Sequence, residues 1–566
     1  MARNEPLTAQ EGCSPSGTGT HCFPFHSHLA GPMAGAKRPP VAACVSSHSP
    51  RASLKEELVR GLFRRLALPL TLFVSVCLSP DLSAAQGLTG QIGGSVVDSS
   101  KAVLPGATVT AKNVATAATG TSVTDANGAF VITNLLAGTY DVRVTLPSFK
   151  TYEQKGVVLS ATERVSLPPI TLEVGGVTET ISVQAEAAKI QTQSGERSAV
   201  ISADQIEDVG LRGRDFMGTL KVLPGVVDTS ARDAPGWGSV GGMTINGQTN
   251  FNFSYDGVTN KDTGSNSGNY AAPALDSIAE VKVQASNFQA EYGRTSGATI
   301  VVVTKSGGKS FKGSAAYYKR NEAFNANTWD RRRSCDAAKA LGNVSSNCAK
   351  PFYRYDNTAY TIGGPVLIPG LDFNRGRDKL FFFWSQDILP RHDPGGLQNS
   401  TMPTALERAG DFSQTVATNG TRIWIKDPVL FAQGLACSPT TGGAGCFSNN
   451  VIPSNRINPL GAAILNMFPM PTTSDPTGNR QYNYQWEGTV DKLRTDQVAR
   501  VDWNMRPGTT FYSRLQFGHE VCSRGYTGAC AGLFLQGNWP QMQNSYDIDT
   551  ISTVNTLLHT FNPSSD

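Results

Sequence analysis

Six cysteines in the second half of the chain come as close pairs: Cys335/Cys348, Cys437/Cys446 and Cys522/Cys530. Each pair encloses a stretch rich in Gly, Asn, Ser or Thr, residues that let a chain turn back on itself. In an oxidising compartment such pairs form local disulfides; in a reducing one they stay as free thiols, and spacing leaves both open. Zinc is the weaker reading, because no CxxC and no histidine accompanies any pair. His21, Cys22, His26 and His28 lie close together near the start, but in a Pro-, Ser- and Gly-rich stretch with no hydrophobic period to hold a metal cluster. Gly236-Trp237-Gly238-Ser239-Val240-Gly241 fits G-x-G-x-x-G. A dinucleotide site needs a buried strand before that motif and a helix after it. Asp-Ala-Pro precedes it here and no helical pattern follows, so a loop is the better account. The chain has only 7 histidines, few for the clustered His/Glu/Cys site that an enzymatic reading would need. No catalytic residue, cofactor or metal is expected, and the protein reads as a non-enzyme.

The elements that carry these residues follow from composition. Charge is nearly balanced, with 49 Lys+Arg against 45 Asp+Glu, so no basic field argues for nucleic acid. Gly is abundant at 57 residues, while long amphipathic helices are hard to find. Short strands joined by tight turns suit that balance, because Gly and Asn supply positive φ. A mainly β protein of several domains is expected at this length of 566 residues.

Arg60, Arg64 and Arg65 precede an apolar run from Leu66 to Leu78, followed by Ser83-Ala84-Ala85-Gln86. A basic start, a short apolar core and small residues at −3 and −1 make residues 60–85 a secretory signal with cleavage after Ala85. The run falls short of the ~20 residues that a membrane-spanning helix needs. Val76 is too bulky for Cys77 to serve as a lipoprotein cysteine. Residues 1–59 read as a non-structural extension, with translation starting further in, near Leu54 or Val59.

Residues 88–173 read as short strands with turns every 8–12 residues, the rhythm of a small sandwich. Alternation is clean in Tyr140-Asp141-Val142-Arg143-Val144, one face buried and one wet. The stretches Leu104-Pro105-Gly106-Ala107-Thr108-Val109, Thr124-Asp125-Ala126-Asn127-Gly128-Ala129-Phe130 and Leu135-Leu136-Ala137-Gly138-Thr139-Tyr140 resemble the carboxypeptidase-regulatory-like family. That family has a transthyretin-like, carbohydrate-binding-like sandwich. Ser148-Phe149 departs from its usual Gly-Phe. The resemblance implies a fold and brings no peptidase ligands; Tyr140 and Phe149 are expected in the core rather than on a sugar-stacking platform.

Glu179-Thr180-Ile181-Ser182-Val183, within residues 174–190, looks like a TonB box, whose role would be to add as an edge strand to TonB. The alternative is a last strand of the sandwich. Residues 191–308 resemble the plug of a TonB-dependent receptor through four segments in order. These are Val200 to Ile206, with Ser202 as N-cap; Arg214 to Val226, a helix stopped by Pro224-Gly225; and Met243 to Gln248 paired with Phe253 to Val258. The fourth runs from Ile278 to Lys305 as closing strands. The likeness is to the Oar-like branch.

From about residue 309 to 566 the pattern becomes amphipathic strands between polar loops. Leu493, Ala499, Val501 and Trp503 share one parity; Arg494, Asp496, Arg500 and Asp502 share the other. Phe511, Ser513, Leu515 and Phe517 alternate with Tyr512, Arg514 and Gln516, and Arg506-Pro507-Gly508 makes a short turn between the two runs. Lipid and lumen alternate along a membrane strand in this way. Leu380 to Trp384 fits either a membrane strand or a soluble core strand. Roughly five to seven such strands are expected, against a minimum of eight in bacterial barrels. The fold class is therefore a transthyretin-like β-sandwich, an α+β plug and the first strands of an incomplete outer-membrane β-barrel, an N-terminal fragment. The resemblance implies an outer-membrane location, the sandwich on the periplasmic side, TonB and outer-membrane lipid as partners, and uptake of a siderophore, oligosaccharide or peptide. A surface protein that binds carbohydrate or protein without transport is the competing reading.

Overall fold

A computed structural model describes residues 88–560, apart from 177–179, 185–193, 231, 234, 236–241, 262–271, 290–291, 294, 341–347, 474–481 and 526–543. The calls on residues 1–85, including the cleavage point Ala85, and on Gly236–Gly241 lie outside the described residues.

The first unit is a β-sandwich. Its strands are β1 (Gly90–Asp98), β2 (Thr108–Asn113), β3 (Thr119–Val123), β4 (Ala129–Leu135), β5 (Gly138–Thr145), β6 (Thr151–Leu159), β7 (Arg164–Ser166), β8 (Ile170–Leu172) and β9 (Thr180–Gln184). One sheet has the order β4-β1-β7, with β8 also paired to β1; the other has the order β3-β2-β5-β6-β9. Tyr140, Val142 and Val144 are buried, and Arg143 is exposed, as the alternation requires. They pack with Ile92, Val96, Val109, Phe130, Ile132, Val157, Leu159 and Ile170. Tyr140 stands in this core, its hydroxyl donating to Leu136 O at 2.7 Å, and burial pushes the phenol up to about 12. Phe149 packs on the core's margin. The turn before β4 is closed by Asp125 Oδ1, which accepts from the amides of Asn127 and Ala129. Gly128 there has φ 68°, and a Cβ would meet Val96 O at 2.7 Å.

The second unit is a five-stranded sheet with a short helix. Its strands are β10 (Arg197–Ser202), β11 (Val226–Asp228), β12 (Met243–Ile245), β13 (Asn252–Tyr255), β14 (Val258–Thr259), β15 (Ile278–Ser286) and β16 (Thr299–Thr304). The sheet runs β10-β15-β16-β13-β14, and β11 pairs with β12 apart from it. All of β16, Thr-Ile-Val-Val-Val-Thr, is buried, as suits a central strand. Ser202 caps the helix Ala203–Asp208 in a capping box with Gln205. The short helix expected before Pro224-Gly225 is present as the 3-10 helix Phe216–Val222, capped by Asp215, with Gly225 at φ 83°. One expectation needs correction. Met243–Gln248 and Phe253–Val258 do not pair with each other, because β12 is taken by β11, and β13 pairs with β14 and β16.

The third unit is an antiparallel meander of β17 (Lys312–Asn321), β18 (Arg354–Pro365), β19 (Leu380–Ser400), β20 (Tyr484–Arg506), β21 (Thr509–Gly525) and β22 (Asn544–His559), neighbours in chain order. Leu380–Trp384 opens β19. From β18 on, at 12 to 23 residues, these strands exceed the span of an ordinary soluble sheet. Gly508, at φ 73°, forms the tight turn from β20 to β21.

Thr124 joins the strand ends of the sandwich: its buried hydroxyl accepts from Ala107 N at 2.8 Å and donates to Leu104 O at 2.7 Å. Thr124→Val leaves both backbone groups without that partner and should lower local stability by about 1–3 kcal/mol. Faster hydrogen exchange at the Ala107 amide checks this, with Thr124→Ser retaining protection.

Candidate functional site

The polar parity of β20 and β21 faces the sheet of the second unit, and the apolar parity faces away. Arg494, Asp496, Arg500, Asp502, Tyr512, Arg514 and Gln516 are buried, while Leu493 and Trp503 are exposed at 36% and 39%. A wall with charge on the face toward the second unit and hydrocarbon on the other inverts a soluble sheet.

The plug meets this wall through the turn between β13 and β14. Asp256 and Gly257 take φ 48° and 83°, the paired positive values of a tight hairpin that Asp and Gly tolerate. Asp256 accepts from Thr304 N at 2.9 Å and Thr304 Oγ1 at 2.8 Å, both on β16. Its carboxylate also lies 3.0 Å from Arg514 Nε and 3.9 Å from Arg500 Nη1. Arg514 stacks on the Tyr255 ring at 4.3 Å and donates to Tyr255 O at 3.2 Å. Arg500 donates to Thr304 O at 3.1 Å and pairs with Asp502 at 2.8 Å. Further along the seam, Asp496 accepts from Ala274 N at 3.0 Å and Gln516 Nε2 at 2.7 Å. Arg494 donates to Ala272 O, and Tyr355 OH donates to Gly213 O at 3.1 Å. Within the plug, burial lifts Asp215 to about 6 against the opposing pull of Arg232.

A second seam joins the plug to the sandwich. Lys282 on β15 pairs with Glu196 at 3.0 Å and donates to Thr162 Oγ1 at 2.9 Å. Gln284 donates to Glu196 at 3.2 Å, and Glu280 accepts from Ala161 N at 2.6 Å. Burial raises the Glu280 carboxyl above its usual range. The sandwich also touches the wall's turn, through Gly508 N to Thr119 O at 3.1 Å and Asn504 Nδ2 to Thr116 O at 2.7 Å.

Of the residues singled out in the sequence, Thr180, Ile181, Ser182 and Val183 lie on β9, and Glu179 is outside the described residues. β9 pairs in parallel with β6, from Thr151↔Thr180 to Lys155↔Gln184. The sandwich sheet thus runs past residue 173. Cys335–Cys348 and Cys437–Cys446 are disulfides in the loops after β17 and β19. Cys522 is disulfide-bonded, and Cys530 lies outside the described residues. Among the described residues no His/Cys/Asp/Glu group is arranged to hold a metal. This seam was not among the expectations from sequence; its signal is a carboxylate, Asp256, within Phe253 to Val258 together with the run of alternating charges on two strands.

A family model of the carboxypeptidase regulatory-like domain matches residues 91–173, and one of the outer membrane beta barrel domain matches 303–565. The TonB-dependent transporter Oar of Myxococcus xanthus is 26% identical over 323 residues, covering 53% of this chain and 27% of that protein. The chain therefore spans about a quarter of the length of that relative. Among solved structures, the ferric enterobactin receptor PfeA of Pseudomonas aeruginosa is 13% identical over 64% of this chain and 38% of its own, with a TM-score of 0.31. The siderophore receptor PirA of Acinetobacter baumannii is 12% identical over 64% and 44%, with a TM-score of 0.27. These two likenesses are too slight to carry an argument. The chain thus carries a region that matches the outer membrane beta barrel domain and one that matches the carboxypeptidase regulatory-like domain, and about half of it is similar to a TonB-dependent transporter, Oar.

Proposed function

We propose that this chain forms the energy-coupling side of an outer-membrane transporter for a scarce ligand, a siderophore, oligosaccharide or peptide, with TonB as its partner and no reaction catalysed. The observation that carries this reading is a plug sheet seated by buried ion pairs on the charged face of a strand wall. Residues 60–85 would direct export, 88–173 lie on the periplasmic side, and 191–308 block the lumen until TonB pulls on Glu179 to Val183. β17 and β22 each have one neighbour among the described strands. In a bilayer both edges must be paired, so further strands close the wall around the plug. The disulfides restrain loops after β17 and β19, at the end opposite the Arg506–Gly508 turn, where ligand would first meet the protein. A surface binder without transport has no use for a buried plug–wall seam.

Two measurements test this. Asp256→Ala leaves Arg514 buried without its carboxylate, which should cost about 3–5 kcal/mol. Trypsin should then cut the plug at lower urea than in the unaltered protein. The double variant Asp256→Ala/Arg514→Met should recover part of that loss, and equal resistance of all three would remove the seam from the account. In the intact chain, Val183→Pro takes a donor from the box strand. It should weaken capture by TonB's periplasmic domain at least tenfold, and undiminished capture would end the assignment of residues 179–183.

A further inference from the structure

The sheet β3-β2-β5-β6-β9 has two ends, and they are treated differently. At the β3 end the wall's turn lies against the strand, Gly508 N donating to Thr119 O. At the β9 end no strand follows among the described residues. Edges that must stay unpaired usually carry Lys, Pro, an inward charge or a bulge. β9 reads Thr-Ile-Ser-Val-Gln and has none of these, and its five-residue register with β6 runs without a shift.

The side chains are equally accessible. Thr180, Ser182, Val183 and Gln184 are exposed and Ile181 is half-buried. Ile181 and Val183 point to one face of the strand, and Thr180, Ser182 and Gln184 to the other. A strand added alongside would find a backbone edge that no described strand occupies, an apolar pair on one face and polar side chains on the other.

We propose that the box is recognised without leaving the sandwich: TonB's strand adds along the outer edge of β9 and becomes the sixth strand of this sheet. The proposal rests on the reading of residues 179–183 as the TonB-binding segment and specifies the form in which TonB meets them. The box is held extended by β6 before any partner arrives, so its ordering cost is met within the fold, and a preorganised strand binds more tightly than a loose peptide. Withdrawal of β9 would forfeit its whole ladder with β6 and open a second bare edge on β6. Addition at the outer side forfeits nothing. The sandwich is then half of the docking surface, steadied at its far end by the wall's turn.

The test locks β9 in place. Glu153 and Ser182 are direct partners across β6 and β9. A Glu153→Cys/Ser182→Cys variant of the intact chain, oxidised in detergent, should capture TonB's periplasmic domain within threefold of the unaltered protein. A synthetic peptide of residues 174–190 should bind at least tenfold more weakly. Loss of capture on oxidation, with capture kept when the same variant is alkylated before oxidation, overturns the proposal and shows that the box must come away. Peptide binding as tight as that of the intact chain also overturns it. Absence of capture by the unaltered protein would instead refute the assignment of the box, so the two failures are distinct. A variant-free readout is hydrogen exchange on TonB binding. Amides of 180–184 should gain protection while those of 151–155 keep theirs, and a loss at 151–155 counts against the proposal.

Discussion

Arg514 is fully buried on the inner face of β21, and the carboxylate that it meets, Asp256, belongs to a turn of the plug more than two hundred residues earlier in the chain. A guanidinium in that position cannot be left alone, since an uncompensated buried charge is among the costliest defects a fold can carry. Much else follows from satisfying it. The turn must present a carboxylate from positive φ, which Asp allows and a branched side chain would not. β16 must run beside the turn so that Thr304 can donate to both oxygens of that carboxylate. Arg500 must come from the neighbouring strand at the same level, which it does through the register Arg500↔Arg514 of β20 and β21.

Period and punctuation made most of the architecture legible in the sequence. The alternation in Tyr140–Val144, the N-cap at Ser202 and the two-residue period around Arg500 and Arg514 are local signals, and each is where it was expected. What was not legible depends on partners distant in sequence. Nothing near Met243 says that its strand pairs with Val226–Asp228 rather than with Phe253 onward. The charges on β20 were read as lining a lumen. That they grip the plug requires knowing that Asp256, Ala272 and Ala274 come to the same level.

The sandwich is built into the same structure rather than appended to it. Thr162, at the corner after β6, accepts from Lys282 and Gln284, which also hold Glu196 at the entry to β10. An apolar contact of Leu88 and Ala161 with Val301 and Val303 lies beside these polar groups. β6 therefore serves three neighbours, with β5 on one side, β9 on the other and the plug at its end.

The bonds from Thr304 to Asp256 have a consequence for the order of events in assembly. Both lie inside the plug sheet, so the turn can take its shape and fill part of its carboxylate's acceptor capacity while the charge still faces water. The dehydration of that charge is deferred to the moment β20 and β21 arrive, when Arg514 and Arg500 replace the departing solvent. Folding of the stopper and closure around it are thereby separable in time, and only the later event has to overcome the desolvation barrier.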